Sequence, residues 1–488
     1  MSEAVRQLEP AGLWNNFADL NAVPRPSKKE ERVIAFIKSF GEKLGLPTMV
    51  DEAGNVIIRK PASKGMENRE IVILQSHLDM VHQKNADSTF NFNDQDIDMF
   101  VDGDWVKATG TTLGADNGIG VAAIMTILAA SDIVHPPLEA LFTIDEETGM
   151  TGALSLKAGL LTGKFLLNLD TEEDNELTIG CAGGIDVTAS GTYEAEPVAG
   201  GKAFNIAVNG LTGGHSGVDI HKGRANANKL MNRLLFETAN NFSIQIASID
   251  GGSLRNAIPR ESVATVNIPA ANVDAFKKRI GKFEATVKEE YAFTDPALTV
   301  VVEEANEISS VLPADLAGRF IRSVYAAPNG IYRMTPEIPG LVQTSNNIAK
   351  VTVRDGKWMV QCLTRSSVDS EKTDLSQALA AAFELCGGTL SYGGTYPGWT
   401  PKPGAPIVQL MQHLYKELFK EEAHVNSVHA GLECGIIGTN YPEMQMISFG
   451  PNIYGAHSPD ERAQISSVQK FWKFLLEALA RIPMANAA

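Results

Sequence analysis

Basic residues and long apolar segments are both scarce in this sequence. Its 42 Lys and Arg are outnumbered by 58 Asp and Glu, so the 488-residue chain has a net charge of −16. That charge repels phosphate backbones, and we therefore expect no nucleic-acid partner. The longest apolar run, residues 118–130, is shorter than the ~20 residues that span a bilayer, so we expect no membrane association.

Cysteine is also rare, which restricts the class of protein. The four cysteines are far apart and form no C-x-x-C pair. This spacing excludes a disulfide scaffold and a zinc ribbon, and it is typical of a reducing compartment. Residues 1–10 contain no apolar core of a signal peptide. We therefore expect a cytoplasmic protein.

Several common catalytic motifs are missing. No Gly-Lys pair is followed by Ser or Thr as in a phosphate-binding P-loop, and no H-E-x-x-H zinc motif occurs. Val218 stands where the nucleophile elbow G-x-S-x-G requires its second glycine. These absences disfavour ATP hydrolysis and a serine hydrolase of that type.

The composition and the order of patterns predict an α/β fold. Apolar residues make up 44% and charged residues 20% of the chain, close to the average of globular proteins. From about residue 70, short β-rich runs alternate with helical ones, which predicts a mainly parallel sheet with flanking helices. Gly-rich residues 180–184 and Gly/Pro-rich residues 393–406 indicate domain crossings. We thus predict one domain from residues 1–183 and 398–488, and an inserted α+β domain at residues 184–397, in which a weak strand–helix–strand duplication stays open.

Histidines and carboxylates stand at the predicted strand ends, where open α/β sheets build their sites. In His77-x-Asp79, both side chains point to one side of a strand, so Asp79 can fix the tautomer of His77 while the other ring nitrogen binds a metal. An ordinary strand-end hydrogen bond is the alternative. Asp116 lies among glycines before an apolar helix and is either an N-cap or a carboxylate that bridges two cations.

Three further segments complete the pattern. Asp145, Glu146 and Glu147 follow an apolar strand and form either a surface turn or a general base beside a metal ligand. Asp170 ends another strand, and His457 lies in a Gly/Pro loop. Five potential ligands with nitrogen and oxygen donors suit zinc or manganese.

This ordered set resembles the aminoacylase/dipeptidase family of co-catalytic zinc exopeptidases, and the resemblance runs along the whole chain. It implies a zinc-exopeptidase-like catalytic domain, an inserted lid domain and a homodimer. It also implies two Zn²⁺ per subunit, with Mn²⁺ or Co²⁺ as substitutes, and a cis bond between Asp116 and Asn117. The implied roles are one zinc bound by His77 and Asp170, the other by Glu147 and His457, Asp116 as the bridge, Asp79 as the residue that orients His77, and Glu146 as the general base.

The resemblance also assigns residues of the inserted domain. His215 would polarise the scissile carbonyl or stabilise the oxyanion. Asn256 and Arg365 would hold the backbone and the C-terminal carboxylate of the substrate. A solvated loop histidine and a surface arginine are the alternatives for His215 and Arg365. His429 and Glu433 are four residues apart, but Gly431 and Gly435 favour a loop that lines the substrate cleft over a metal site.

The expected activity is the hydrolysis of unblocked L-dipeptides, Xaa-His among them. An N-acyl amino acid deacylase or a tripeptidase would use the same metal set. An inactive metal-binding regulatory protein is the alternative from another class, and the presence of Glu146 disfavours it because a pure binder needs no base.

Overall fold

The computed structural model describes residues 3–85 and 87–485, and it divides into two compact units. Unit 1 comprises Met1–Gly180, Pro401–Ser427 and Leu432–Ala488; unit 2 comprises Cys181–Thr400 and Val428–Gly431. The short segments 181–183, 398–400 and 428–431 thus belong to unit 2, although we predicted them in the first domain. Backbone hydrogen bonds explain this: Cys181 pairs with Trp399 in both directions at 2.9 and 3.0 Å, and Ala182 N donates to Val428 O at 3.0 Å.

Unit 1 is built around an eight-stranded sheet. Its strands, in spatial order, are Thr48–Val50, Val56–Lys60, Leu138–Thr143, Val72–His77, Phe165–Asn168, Gln445–Ser448, Glu176–Cys181 and His424–Val428. The third to the sixth run parallel, and the pairings described outside them are antiparallel. The α/β class is as predicted, with a mixed sheet. Because parallel strands end at one edge of a sheet, His77 and the acids after residues 143 and 168 meet there.

Helices and a smaller sheet complete unit 1. The helix Ala115–Ala129 is apolar almost all round and mostly buried, as expected for a helix packed inside the unit. The other helices are Glu3–Arg6, Ala11–Asn21, Glu31–Lys43, Thr151–Ser155, Pro406–Phe419, Glu433–Asn440 and Ile465–Ala480. A four-stranded sheet has the order Ile453–Tyr454, Arg462–Gln464, Trp105–Ala108, Met99–Asp102. None of the described helices combines the length and the apolar content that a membrane span requires.

Unit 2 contains two halves with the same β-α-β-β-α-β order. One half comprises Lys202–Asn209, Ala227–Phe242, Gln245–Gly251, Ser262–Ile268, Val273–Glu290 and Thr299–Glu304. The other comprises Gly183–Thr192, Ala314–Ala326, Val342–Arg354, Lys357–Ser366, Asp369–Glu384 and Thr389–Tyr396. In each half the strands lie in the sheet order fourth, first, third, second. The duplication that the sequence left open is therefore present in the fold.

The two halves of unit 2 join edge to edge into one sheet. The second strands of the halves pair antiparallel, with Ile249 opposite Val353 and Gly251 opposite Val351. Apolar side chains of both halves, including Phe276 and Phe320, fill one core. Smaller elements are the strand Gly330–Met334 on the edge of Val342–Arg354, the strand pairs Glu196–Pro197 with Ser310–Val311 and Gly214–His215 with Ala257–Ile258, and the 3₁₀ turns Ile220–Lys222 and Ala270–Asn272.

Two local predictions are wrong. The predicted linker does not begin at Gly393, because residues 393–396 continue the strand Thr389–Tyr396. The predicted loop at Glu433 is instead the start of the helix Glu433–Asn440. Glycine disfavours a helix in solution, but burial of Cys434, Ile436 and Ile437 stabilises this one in the folded protein.

Candidate metal centre

The predicted ligands of unit 1 meet at the carboxyl edge of its sheet. His77 ends one central strand, and the acidic turn 145–147 follows the neighbouring strand. Asp170 lies two residues beyond the strand Phe165–Asn168. Asp116 stands at the start of the apolar helix, where its bond to Asn117 is cis as the resemblance implied. His457 lies in the loop after Ile453–Tyr454, with a left-handed φ of 64°.

Three overlapping groups of side chains have ligand atoms within 4.8 Å of one another. They are His77 with Asp116 and Asp170, Asp116 with Glu147 and His457, and His77 with Glu146 and Glu147. Asp116 lies between two histidines, with Oδ1 3.1 Å from Nε2 of His77 and Oδ2 3.3 Å from Nε2 of His457. Asp170 Oδ1 is 3.5 Å from the first imidazole, and Glu147 Oε2 is 3.0 Å from the second. The first two groups thus share one carboxylate.

These distances fit cations held by nitrogen and oxygen donors. Ligand bonds of about 2.0 Å in a tetrahedron place neighbouring ligand atoms about 3.3 Å apart. Glu147 Oε1 is buried and has no hydrogen-bond partner among the described residues, which is costly unless a cation satisfies it. The residues present therefore fit a pair of divalent metal ions bridged by Asp116.

The ionisation of the ligands is strongly perturbed. Burial would lower the pKa of His77, but Asp170, Asp116 and Asp79 raise it well above its usual value. Hydrogen bonds to Asp116 and Glu147 raise the pKa of His457 to about 11. Burial raises the pKa of Asp170 to about 6. Opposing shifts of this size are typical of a functional cluster in which several charges share one small space.

Asp79 connects His77 to the acidic turn. The Nδ1 atom of His77 lies 3.1 Å from the backbone oxygen and 3.4 Å from the carboxylate of Asp79. The same carboxylate accepts hydrogen bonds from the backbone N–H groups of Glu146 at 3.0 Å and Glu147 at 3.3 Å, and from Ser27 Oγ at 2.8 Å. Asp79 is thus placed to orient an imidazole and two acids at once.

Glu146 lies next to the ligands. A carboxylate oxygen of Glu146 lies within 4.8 Å of ligand atoms of His77 and Glu147. Burial raises the pKa of Glu146 well above its usual value, a direction that Asp170 and Glu147 reinforce. A carboxyl with a raised pKa holds a proton more readily at neutral pH, which suits proton transfer.

A fourth acidic group, Glu30 with Asp79 and Asp145, lies close by. Asp145 is already bonded by Lys28, Thr148 and Thr151, and Glu30 accepts the backbone N–H of Lys28 at 2.8 Å. These bonds compensate for the negative charge of the group, so it needs no metal cation.

In unit 2, the structure brings His215 close to Asn256. His215 pairs with Ala257 in a short two-stranded sheet, and Ser216 N donates to the backbone oxygen of Asn256 at 2.8 Å. Nδ1 of His215 accepts the N–H groups of Gly217 at 3.2 Å and Val218 at 3.1 Å. The ring proton of the neutral imidazole therefore lies on Nε2. Burial and Arg365 both lower the pKa of His215, which keeps it neutral near pH 7.

Arg365 is a buried cation, not a surface residue. Its Nη1 donates to the hydroxyl of Tyr396 at 2.8 Å, and its Nε has no partner among the described residues. The described part of the chain offers it no carboxylate within ion-pair distance. A buried guanidinium with unused donors is suited to bind an anion.

The sequence placed His429 and Glu433 only in a loop that lines the substrate cleft, and it did not identify Arg25 or Glu461. Glu433 accepts hydrogen bonds from Gln75 at 2.7 Å and Thr143 at 2.6 Å below the strand ends, and burial raises its pKa to about 8. His429 is buried in unit 2, with Nε2 2.7 Å from Ser345 Oγ. Arg25 and Glu461 bind backbone atoms of the Asp116 loop. Arg25 and Glu461 bind backbone atoms, which every residue type possesses, so no sequence motif identifies these contacts. The only sequence signals are the Pro-Arg-Pro at residues 24–26 and the position of Glu461 shortly after His457.

Comparisons with known proteins agree with the resemblance. The model of the M20 peptidase dimerisation domain matches residues 206–295. The cytosol non-specific dipeptidase of Escherichia coli K12 is 43% identical over 484 residues, which are 99% of this chain and 100% of that protein. The crystal structure of aminoacylhistidine dipeptidase from Vibrio alginolyticus is 42% identical with a TM-score of 0.93, and the match covers 99% of this chain and 100% of that chain.

A more distant structure shares the fold alone. A tripeptidase from Staphylococcus aureus is 15% identical with a TM-score of 0.56, over 97% of this chain and 99% of that chain. The full-length matches at over 40% identity confirm the family that the motifs indicated. Together with its two dipeptidase relatives, the chain therefore belongs to the M20 family of metallopeptidases.

Proposed function

We propose that this protein hydrolyses unblocked L-dipeptides, Xaa-His dipeptides among them, at a centre of two zinc ions. The observation that carries the proposal is the pair of ligand groups that share Asp116, with the carboxyl of Glu146 beside them. The names of the two full-length relatives, a non-specific dipeptidase and an aminoacylhistidine dipeptidase, supply the substrate class. We propose the cytosol, as in the name of the first relative, and a homodimer, which the dimerisation-domain match supports.

In this proposal, His77 and Asp170 would hold one metal, Glu147 and His457 would hold the other, and Asp116 would serve both. When bound, such ions lower the pKa of a water molecule towards 7 and polarise the peptide carbonyl. Asp79 accepts the Nδ1 proton of His77 and so keeps Nε2 free to act as a ligand. Mn²⁺ or Co²⁺ would serve the same donor set.

Glu146 would carry the proton of the reaction. Its carboxylate takes a proton from the attacking water and returns it to the nitrogen of the leaving amino acid. The burial that raises the pKa of Glu146 supports this role, because the group must hold the proton between the two steps.

Residues of unit 2 would bind the substrate. His215 carries its proton on Nε2, so that this N–H would donate to the carbonyl oxygen as negative charge develops there. Arg365 has unused donors for the C-terminal carboxylate, and the exposed amide of Asn256 would hold the peptide backbone.

A substrate panel on metal-replete protein tests the proposal. An L-dipeptide, carnosine, a tripeptide and an N-acetylated amino acid are assayed side by side, with metal content measured on the same sample. We expect turnover of the dipeptide at least about tenfold above the tripeptide and the acetylated amino acid. We also expect two zinc ions per chain and loss of activity on chelation.

The other outcomes separate the alternatives. Faster turnover of the acetylated amino acid would indicate a deacylase, and faster turnover of the tripeptide would indicate a tripeptidase. Full metal content without turnover of any peptide would indicate a metal-binding protein and would contradict the proposed function.

A further inference from the structure

Glu461 is a buried acid that the proposed mechanism does not use. It lies four residues after His457, on the same loop, and is only 2% exposed. No lysine, arginine or histidine forms an ion pair with it in the described part of the chain. Burying an unpaired carboxylate is costly unless hydrogen bonds compensate for the lost water, so its partners define what it does.

Four backbone N–H groups provide that compensation. Oε2 accepts from Leu113 N at 2.7 Å and Gly114 N at 3.0 Å. Oε1 accepts from Ala115 N at 2.7 Å and Asp116 N at 3.3 Å. The carboxylate therefore holds four consecutive residues of the loop that ends in Asp116. Hydrogen bonds to a charged acceptor are about twice as strong as neutral ones.

Arg25 fixes the other side of the same loop. Its Nη2 donates to Gly114 O at 2.6 Å, and its Nη1 donates to Leu78 O at 3.1 Å and to Asp79 O at 3.3 Å. A side chain at position 114 would collide with this guanidinium, because a Cβ there would lie 2.5 Å from Nη2. Gly114 also has a left-handed φ of 70°, so the loop conformation requires glycine.

The bonds of Glu461 connect two metal-ligand segments. One end of the contact is the loop that carries His457, and the other is the backbone of Asp116, whose carboxylate lies 3.3 Å from His457 Nε2. Asp116 and His457 are thus held at ligand distance by protein atoms alone.

We propose that Glu461 is a positioning residue that sets Asp116 against His457 and thereby determines the affinity of the metal bound by Asp116, Glu147 and His457. The inference rests on the metal assignment of the proposed function. It predicts that loss of the carboxylate weakens this metal more than the one held by His77 and Asp170.

The test compares Glu461→Gln with the matched control Glu139→Gln. The control residue is equally buried and also accepts backbone N–H groups, from Thr162 at 2.8 Å and Gly163 at 2.9 Å, but it lies outside the ligand groups. In Glu461→Gln, the amide NH₂ would face backbone N–H donors. Zinc binding to the metal-stripped proteins is measured by calorimetry, and thermal unfolding of the same metal-stripped samples is recorded.

We expect Glu461→Gln to weaken the binding of one of the two zinc ions by about 10- to 100-fold and the binding of the other by less, because both share Asp116 but only one involves His457. Glu139→Gln should lower the unfolding temperature and leave both zinc affinities unchanged. Equal zinc affinities in wild type and Glu461→Gln would overturn the proposal, and so would equal weakening of both ions. If Glu461→Gln does not fold, Glu461→Asp is measured in the same way, and unchanged affinities there would also overturn it.

The readout is independent of peptide hydrolysis. A wild-type protein that binds two zinc ions but cleaves no peptide contradicts the proposed function, while the zinc affinities of the variants still decide the role of Glu461.

Discussion

Glu146 and Asp116 lie in the same cluster but should respond differently to substitution. Glu146→Ala removes the proposed proton carrier and no proposed ligand, so we expect turnover to fall by about 10²- to 10⁴-fold with two metals retained. Asp116→Ala removes the shared carboxylate, so we expect metal loss. Turnover and metal content measured on one sample of each variant check both expectations. Near-normal turnover of Glu146→Ala would remove this residue from the mechanism.

His429 gives unit 2 a built-in sensitivity to acid. Burial lowers its pKa to about 3, and Arg365, His215 and His221 act in the same direction. The unfolded chain, with a histidine pKa near 6.5, therefore binds a proton that the folded chain does not. The stability from neutral His429 is complete above about pH 6.5 and is lost as the pH falls towards 3.

We therefore expect the urea midpoint of wild type to fall more steeply between pH 7 and pH 5 than that of His429→Gln. The variant should be less stable at pH 7, because it loses the bond to Ser345, and the gap should narrow on acidification. His413→Gln, at an exposed helix position, is the control and should follow wild type. Parallel curves for wild type and His429→Gln would contradict this reasoning.

Among the elements, the Gly-rich turn of residues 210–217 presents His215. Asp219 accepts the backbone N–H of His215 at 2.8 Å, and Gly217 fits only without a side chain, since a Cβ would lie 2.1 Å from His429 O. The backbone of the turn thus orients the imidazole of His215, whose Nε2–H is the proposed hydrogen-bond donor to the substrate carbonyl. We expect His215→Ala to lower turnover by about 10²- to 10³-fold, the scale for one oxyanion donor, without loss of metal.

Two measurements on His215→Ala distinguish the alternatives. Turnover within a factor of a few of wild type would indicate a solvated loop histidine. Loss of metal would indicate a ligand. The unfolding temperature should fall only slightly, because the backbone N–H of His215 keeps its bond to Asp219 while Gly217 N and Val218 N lose the Nδ1 acceptor.

The regular elements near the site follow from sequence patterns, with an instructive exception. Continuous apolar runs at residues 71–75 and 138–144 predict the strands Val72–His77 and Leu138–Thr143 to within two residues, because both faces of a central strand are buried. The helix at Glu433 escaped prediction because its stability comes from burial in the folded chain, which local propensity does not contain.

The same division holds for the candidate site. His77 and Asp170 could be predicted as candidate ligands because a strand end followed by His or Asp is a pattern of residue types. Arg25 and Glu461 could not, because they bind N–H and C=O groups that every residue possesses. Backbone conformation decides where those groups point, and that conformation depends on contacts between residues over 300 positions apart, as between Leu113 and Glu461.

At the scale of the whole molecule, the two halves of unit 2 restrict how two chains can associate. The strand Gln245–Gly251 already pairs with Val342–Arg354 of the same chain, and Ile246 O accepts Leu312 N at 2.7 Å. This edge is therefore closed to a second copy. The strand Gly330–Met334 lies at an edge and exposes Ile331, Tyr332 and Met334, which is typical of an interaction surface.

We expect a particle of twice the chain mass by light scattering, and we expect Ile331→Glu to halve that mass. Val301→Glu is the control, since Val301 is 40% exposed against 43% for Ile331 and lies on another strand. A wild-type particle with the mass of one chain would contradict the homodimer, and an intact dimer of Ile331→Glu would place the interface elsewhere.

The four residues Val428–Gly431 belong to unit 2 but lie apart from the rest of it in the sequence, which limits how relatives can exchange this unit by recombination. Within that unit, Ala182 N binds both Val428 O and Ala430 O, and His429 binds Ser345. A gene fragment that encodes only residues 181–400 therefore lacks part of unit 2, and the recipient supplies its own residues 428–431 instead. A chimaera that exchanges the whole of unit 2 needs two inserts and four junctions. Crossovers only at the two glycine-rich boundaries would combine residues 181–400 of one relative with residues 428–431 of another.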